Sequence, residues 1–520
     1  MNTLIKYTLA ASMFLLLGGC KKSLDLDIQN PNRIDESNFW KTQKDAVEGM
    51  NAAYGNFYRN GSPYSRWLPF YMDIRSDDGY STSGWNELRS VGALNITQYN
   101  FEVNYDTWWH HWRGVYRANQ VIANVPGITM DEPLKNRLVG EAKFLRALYY
   151  YNLISIWGNI PLILEPSKPS DKPSQATQEA LWAQVEKDLT EAAEALPSSY
   201  TGEELGRATK GAAYGYLGRV HMQQREWQLA ATAFTWLISG PGMGEYALVA
   251  NYGDNFRHTS ENNKESVFEV QFKMRPENGG DDGPTSNVGT SRAPFFAPPG
   301  HGFNDANMHR WVVHEFLKEN TAAGGRDPRL DITALYDSTD VRGPAFSQVY
   351  GSTFNSKNYD ANTRVRVWYR KYLDDYFRTN EFEVFNSPIN FRALRFADVL
   401  LMQAEALNNL NRTSEAYLLV DRVRERAGLR KLSVAMPGLS AAAFQLQLEH
   451  ERILELTGES VRWNDLARWG YFDNAAKIAQ LKLRDPEFNN FVLLEGKSKY
   501  MPIPQAERDI NPNLGQNPGW

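Results

Sequence analysis

Cysteine is almost absent from this chain, since Cys20 is the only one among 520 residues. A single cysteine forms no internal disulfide and offers no cysteine-ligated zinc site. Apolar runs long enough to cross a membrane are also missing. Neither sign of charge is in large excess, because the chain has 56 basic and 61 acidic residues. The chain therefore presents no basic surface for nucleic acid, and its fold must depend on its core.

The one cysteine directly follows an apolar leader. The apolar stretch from about residue 8 to residue 17 is too short for a transmembrane helix and is typical of an export signal. Residues 17–19, Leu-Gly-Gly, resemble the bacterial lipobox, in which the next cysteine receives a diacylglycerol. We predict that residues 1–19 are a lipoprotein signal peptide, that Cys20 is lipidated, and that residues 20–36 form a flexible tether. An ordinary secretory leader is the alternative.

Helix pairs dominate the rest of the chain. Residues 141–157 have helical apolar spacing and end before Gly158, and residues 207–238 and 396–428 each form a helix, a polar turn and a second helix. Both hairpins fit the ~34-residue tetratricopeptide pattern. We predict an all-α, tetratricopeptide-like superhelix of about four helix pairs, because one pair cannot bury its apolar face alone.

The amino-acid composition changes between about residues 240 and 390. Glycine-rich and proline-rich stretches separate short helix or strand fragments there. We predict one domain over residues 37–520, with helical repeats at about 40–240 and 390–470 and a large, irregular, ligand-binding insertion between them, carrying short strands.

Enzyme signatures are missing from the sequence. His314 with Glu315 and His450 with Glu451 begin zinc-protease strings, but no second histidine follows at the required spacing. No nucleophile elbow or cysteine nucleophile is found either. We predict no catalytic residue, no cofactor and no metal. A glycosidase with two distant carboxylates stays open, because 61 acidic residues always allow such a pair.

Three motifs resemble those of one family. Residues 141–163 (EAKFLRALYYYNLISIWGNIPLI), 450–470 (HERILELTGESVRWNDLARWG) and 499–520 (KYMPIPQAERDINPNLGQNPGW) are similar to motifs of the SusD/RagB family, in family order. Gly458 and Ser460 depart from the second motif, which should alter only a turn. In that motif we expect Arg462 to pair locally with Asp465, and Trp463 and Trp469 to be core residues.

The resemblance implies a function and partners. SusD/RagB proteins are nutrient-binding lipoproteins of the outer membrane that work with SusC-type TonB-dependent transporters. The resemblance therefore implies a non-enzymatic protein on the cell exterior that captures an oligosaccharide and delivers it to a SusC-like transporter. Peptide capture, a surface-anchored polysaccharide hydrolase and a scaffold that binds only proteins are the alternatives.

The resemblance also points to ligand residues in two segments. Sugar rings stack on aromatic planes, and their hydroxyls hydrogen-bond with Asn, Asp and Arg side chains. The predicted ligand-binding residues are Asp77, Asp78, Tyr80, Trp85, Asn86 and Arg89 in the first segment, and Phe296, His301, Phe303 and Arg370 in the later one. Phe295, Tyr350 and Phe354 are further aromatic candidates there.

Overall fold

The computed structural model describes residues 39–58, 61–97, 99, 101–274, 288–299, 301–336, 366–377, 385–484 and 492–520. The predicted leader, Cys20 and the tether lie outside these residues, as do Tyr350 and Phe354. No helix in the described ranges is both long enough and apolar enough to cross a bilayer.

Helices form most of the described structure. In chain order they are α1 (Gln43–Tyr54), α2 (Asn86–Gly92), α3 (Glu102–Asn124), α4 (Glu132–Trp157), α5 (Gln178–Ala195), α6 (Lys210–Gln224), α7 (Trp227–Ile238), α8 (Arg292–Phe296), α9 (Arg310–Phe316), α10 (Arg329–Thr333), α11 (Phe396–Asn409), α12 (Thr413–Arg426), α13 (Leu432–Ala435), α14 (Ala441–Leu456), α15 (Arg462–Arg468), α16 (Ala475–Lys482) and α17 (Gln505–Ile510).

The long helices pack as consecutive hairpins. Each helix from α3 to α6 contacts the next one along the chain, and α11 contacts both α7 and α12. Gly218 on α6 lets Phe234 of α7 approach so closely that a Cβ at position 218 would lie 2.4 Å from the ring. The two predicted hairpins are confirmed, and so is the all-α, tetratricopeptide-like class.

Local signals set the helix ends. Thr42 and Asp45 form a reciprocal capping box at the start of α1, and Asp131 caps α4 with a proline in its first turn. Helix α4 ends at Gly158, which has a φ of 72°. Its amide donates to the Ile154 carbonyl, as expected where a glycine stops a helix.

Within the described ranges, six short strands interrupt the helical frame: β1 (Gly79–Tyr80), β2 (Ser266–Val270), β3 (Asn307–Met308), β4 (Ala334–Tyr336), β5 (Val367–Tyr369) and β6 (Phe391–Arg395). Strands β1, β3, β5 and β4 form one antiparallel sheet in that order, and β2 pairs with β6. The first sheet joins residues near 80 to the insertion. It therefore brings the two segments that carry the predicted ligand residues side by side.

Buried ion pairs connect the motif at residues 450–470 to the rest of the fold. Arg395 of β6 pairs with Glu265, Glu455 and Glu459, all of them buried. The predicted pairing of Arg462 with Asp465 is wrong, because Arg462 reaches Asp77 while Asp465 pairs with Arg452 and Arg468. The two tryptophans of that motif, Trp463 and Trp469, are buried as predicted.

Candidate ligand-binding site

Two segments, residues 81–86 and 301–307, are locked together by polar side chains. Thr82 Oγ1 donates to Asn307 Oδ1 at 2.6 Å, and Asn307 Nδ2 donates to Asn304 Oδ1 at 3.1 Å. Trp368 Nε1 of β5 donates to the same Asn304 oxygen at 2.6 Å. Asn304 holds a φ of 60°, which asparagine tolerates better than most residues. The loops therefore form one preorganised surface at the edge of the sheet.

Aromatic rings continue across this surface. Trp85 packs edge-on against buried Trp67 at a ring separation of 5.7 Å, and Trp67 packs against Phe295 at 5.5 Å. Phe303 packs edge-on against Phe295 at 5.7 Å and contacts Phe385 at 5.8 Å. Trp85 is half-buried and Phe303 is 43% exposed. Two rings thus reach solvent from one buried aromatic layer.

A buried guanidinium rigidifies that layer. The Arg66 Cζ atom lies 5.1 Å from the ring centroids of Trp67, Phe295 and Phe385. Desolvated cation–π contacts are worth about 2 kcal/mol or more. Arg66 therefore helps to hold the rings beneath Trp85 and Phe303 in place.

Polar groups flank the exposed rings. Asn86 and Arg89 are exposed on α2, where Arg89 Nη1 donates to the Ser83 carbonyl at 3.0 Å and Nη2 donates to Asn86. Burial raises the pKa of Asp305 to about 6, against the opposing effect of its hydrogen bond with Ser83. We call the surface formed by Trp85, Asn86, Arg89, Phe303 and Asn304 the aromatic face. It combines stacking planes with amide and guanidinium groups.

The two predicted aspartates lie beneath the surface. Asp77 is buried, and its carboxylate oxygens accept hydrogen bonds from Arg462 at 2.6 and 2.8 Å. Burial opposes its charge, but Arg462 and Arg484 outweigh burial and lower the pKa of Asp77. Burial and nearby carboxylates raise the pKa of Asp78 well above its ordinary value. Both expectations of direct ligand contact are corrected, because these carboxylates are enclosed by the protein.

Two candidates from the later segment make contacts within the protein. Phe296 is fully buried, packing on Phe70 and Tyr369, so its predicted ligand contact is corrected. Arg370 Nε donates to Asp375 at 2.7 Å and its Nη1 donates to the Asp331 carbonyl at 2.6 Å. Arg370 therefore makes local hydrogen bonds while its side chain stays partly exposed, and its contact with a ligand stays a prediction.

Tyr80 and His301 occupy intermediate positions. Tyr80 is half-buried in β1, with its ring 4.8 Å from His309. His301 is half-buried in the loop that carries Phe303, and burial lowers the pKa of its imidazole. Of the ten predicted residues, the structure groups Trp85, Asn86, Arg89 and Phe303 on one surface. Their contact with a ligand stays a prediction.

Sequence reasoning missed the layer behind the face. Trp67, Arg66 and Phe385 hold the exposed rings, and Asn304 and Thr82 join the loops. The dipeptide Arg66-Trp67 sits in the segment SPYSRWLPF, whose unusual aromatic and proline content is a signal. That composition does not indicate which distant loop the segment supports.

One group in the described ranges has the spacing of metal ligands. Ligand atoms of Glu186, His221 and Glu226 all lie within 4.8 Å of one another, between α5 and the α6–α7 hairpin. His221 Nδ1 lies 2.7 Å from a Glu226 carboxylate oxygen, so a hydrogen bond accounts for the approach without an ion.

The fold and this surface define an all-α helical-repeat protein with a loop-borne aromatic face. The sequence profile of the SusD family matches residues 264–520, and one described as starch-binding associating with outer membrane matches residues 26–222. The chain belongs to the SusD-like family.

Individual relatives support the same assignment. SusD-like protein P25 of Formosa agariphila is 27% identical over 506 residues, which cover 92% of each chain. A solved laminarin binding SusD-like protein is 26% identical, with a TM-score of 0.75, over 92% of this chain and 100% of that one. A SusD superfamily protein from Bacteroides vulgatus is 25% identical, with a TM-score of 0.77, over 93% of this chain and 100% of that one.

Proposed function

We propose that this protein captures a neutral oligosaccharide on its aromatic face and delivers it to a SusC-like TonB-dependent transporter, without chemistry of its own. The observation that carries the proposal is the exposure of Trp85 and Phe303 from one buried aromatic layer. Rigid exposed rings stack on the apolar C–H faces of sugars and lose little conformational freedom on binding.

The polar groups of the face suit sugar hydroxyls. Asn86 offers an exposed amide, and Arg89 adds guanidinium donors at the same edge. Asn304 keeps one amide N–H, because its oxygen already accepts two hydrogen bonds and its Nδ2 donates to Thr82. One relative of similar fold is named as laminarin binding, and one matching profile as starch-binding. Laminarin and starch are therefore the first ligands to test.

The delivery step rests on family membership and on the predicted anchor. A lipid on Cys20 would keep the protein at the outer membrane beside its transporter, since two or three acyl chains hold a protein where one does not. Co-purification of the detergent-solubilised protein with the SusC-like transporter expressed beside it is the expected result. Separate elution of both proteins would contradict delivery while leaving capture intact.

Capture itself is tested by native electrophoresis through gels that contain laminarin or starch. Retardation relative to a plain gel is expected, with no release of reducing sugar on prolonged incubation. Unretarded migration in both gels would contradict binding of these glucans. Release of reducing sugar would instead support the hydrolase alternative.

A further inference from the structure

A concave surface separate from the aromatic face lies beside helix α3. It is a cleft of about 790 Å³ between α3, the segment 161–173 and helix α17, and we call it the strap cleft. Its volume is within the usual range for small-molecule sites, about 300–1,000 Å³. On α3, Asp106 and His110 lie beside Gly61 together with Trp67, the ring beneath the aromatic face, whereas Trp108 begins the wall of the strap cleft. Two residues turn a helix by about 200°, so the two surfaces are separate.

Aromatic side chains form the α3 wall of the strap cleft. Trp108 is buried and packs edge-on against half-buried Trp112 at 5.5 Å, while Tyr116 one turn further on is 40% exposed. Within the described structure, Trp112 Nε1 is buried with no hydrogen-bond partner. Gln120 donates to the Tyr116 hydroxyl at 2.8 Å, which leaves the hydroxyl proton for another acceptor. The wall thus offers two partly exposed rings, Trp112 and Tyr116, and the hydroxyl of Tyr116 is a donor.

The opposite wall is rigid. Four prolines lie within residues 161–173, and proline restricts the backbone. Asn119 Nδ2 donates to the carbonyls of Ile163 and Glu165 at 3.0 and 3.1 Å. At the other end, Asn511 Nδ2 donates to the Pro173 carbonyl at 2.8 Å. A cleft with walls held at both ends is preorganised, which lowers the entropic cost of binding.

The rim charges favour a neutral ligand. Glu165, Asp171 and Glu507 alternate with Lys168 and Lys172 around the opening, so no field of one sign covers the cleft. A concave, aromatic-walled site with mixed polar groups suits a small ligand better than a protein partner, whose interface is typically about 800 Å² per side. We infer that the strap cleft is a second binding site for a neutral oligosaccharide, stacked on Trp112 and Tyr116. This inference rests on the ligand class of the proposed function.

Two sites on one body predict an effect of chain length. A polysaccharide that reaches both surfaces gains avidity without any new contact, whereas a short oligosaccharide fills each site separately. Loss of the strap cleft should therefore weaken binding of polymers more than binding of short oligosaccharides.

The test uses the full-length, detergent-solubilised protein in affinity gels containing laminarin, starch, xylan or galactomannan. Two variants disable the strap cleft: Trp112→Ala with Tyr116→Ala removes its rings, and Ser167→Arg fills it from the exposed strap without removing packing. Thermal unfolding checks that both variants are folded. We expect each to weaken binding of the recognised polysaccharide about tenfold, while Trp85→Ala alone leaves residual binding.

The other outcomes discriminate between explanations. Binding within about twofold of wild type in both cleft variants, with complete loss in Trp85→Ala, would overturn the second site and leave the proposed function standing. Unchanged polysaccharide binding with loss of the co-purified transporter would assign the strap cleft to a protein partner and overturn the inference. If wild type migrates freely through all four gels, the proposed function fails first, and this inference fails with it.

Discussion

Arg462 donates from Nε to Asp77 Oδ1 at 2.6 Å and from Nη2 to Asp77 Oδ2 at 2.8 Å, and both residues are buried. The pair joins helix α15 to the segment that leads into strand β1 and the aromatic face, across 385 positions of sequence. A bidentate arginine–carboxylate pair fixes orientation as well as distance. The late motif therefore supports the candidate site from below.

Removing the charge of Asp77 should be costly. Asp77→Asn leaves Arg462 buried without its carboxylate, and breaking one side of a buried pair costs about 3–5 kcal/mol. We expect a drop of that size in the free energy of unfolding, measured by urea titration. Asp473→Asn is the control, because Asp473 is about half exposed where it faces Lys499, and an exposed pair contributes about 0–1 kcal/mol. Equal losses in both variants would contradict a structural role for the Arg462–Asp77 pair.

His450 should make the free energy of unfolding fall as the pH rises from about 6.5 to about 9. Burial opposes its charge, but the hydrogen bond with Glu315 and the nearby Glu319 carboxylate outweigh burial and raise the pKa of His450 to about 9. The unfolded value is about 6.5, so the folded state binds the proton more tightly. The resulting stabilisation, at most about 3 kcal/mol, is complete below pH 6.5 and is lost as pH rises through 9.

The measurement compares wild type with His450→Gln at both ends of that window. We expect a larger difference in the free energy of unfolding at pH 6 than at pH 9.5, because the wild type loses the charged pair on the way. A difference that stays constant between the two pH values would show that His450 contributes by packing alone.

Gly218 should be intolerant of even a methyl group. A Cβ there would lie 2.4–2.7 Å from three ring atoms of Phe234, so Gly218→Ala must push α6 and α7 apart. Overpacking of this kind costs about 1–3 kcal/mol. Gly55→Ala is the matched control, because Gly55 has a φ of −58° and, in the described part of the chain, no neighbour lies within 4 Å of the place a methyl group would take. Similar melting temperatures for the two variants would contradict close packing of the α6–α7 hairpin.

The helical frame could be predicted because its signals are local. Apolar spacing and stops such as Gly158 act within one or two turns, and the small residues Gly218 and Ala230 act within one helix pair. The start of α3 lacks such a signal. Its N-cap residue is Phe101, which makes no side-chain capping hydrogen bond.

The candidate site could be predicted only in part because its geometry is non-local. The segment around Trp85 is rich in ligand-type residues, but the burial of Asp77 depends on Arg462, far away in sequence. Neighbouring Phe295 and Phe296 look alike in sequence, and only the tertiary contacts show that both point inward while Phe303 is exposed. Composition indicated the correct loops, but it did not show which of their side chains are exposed and which are buried beneath them.

Ser460 departs from the family motif, and the structure explains how a serine is accommodated at this position. This residue adopts a φ of 62°, a conformation that favours glycine. Its amide and hydroxyl both donate to the Asp73 carboxylate, at 2.8 and 3.0 Å. These two hydrogen bonds offset the steric cost of a left-handed conformation, which is of order 1–3 kcal/mol for residues other than glycine.

The central claim is that Trp85 stacks on a bound sugar, and calorimetric titration of laminarin oligosaccharides into wild type and Trp85→Ala tests it most directly. Trp236→Ala is the control, because Trp236 is also half-buried but stacks on Tyr214 in the helical repeats. We predict that Trp85→Ala weakens binding at least about tenfold while the protein stays folded, and that Trp236→Ala binds like wild type. Equal affinity in wild type and Trp85→Ala would contradict the account.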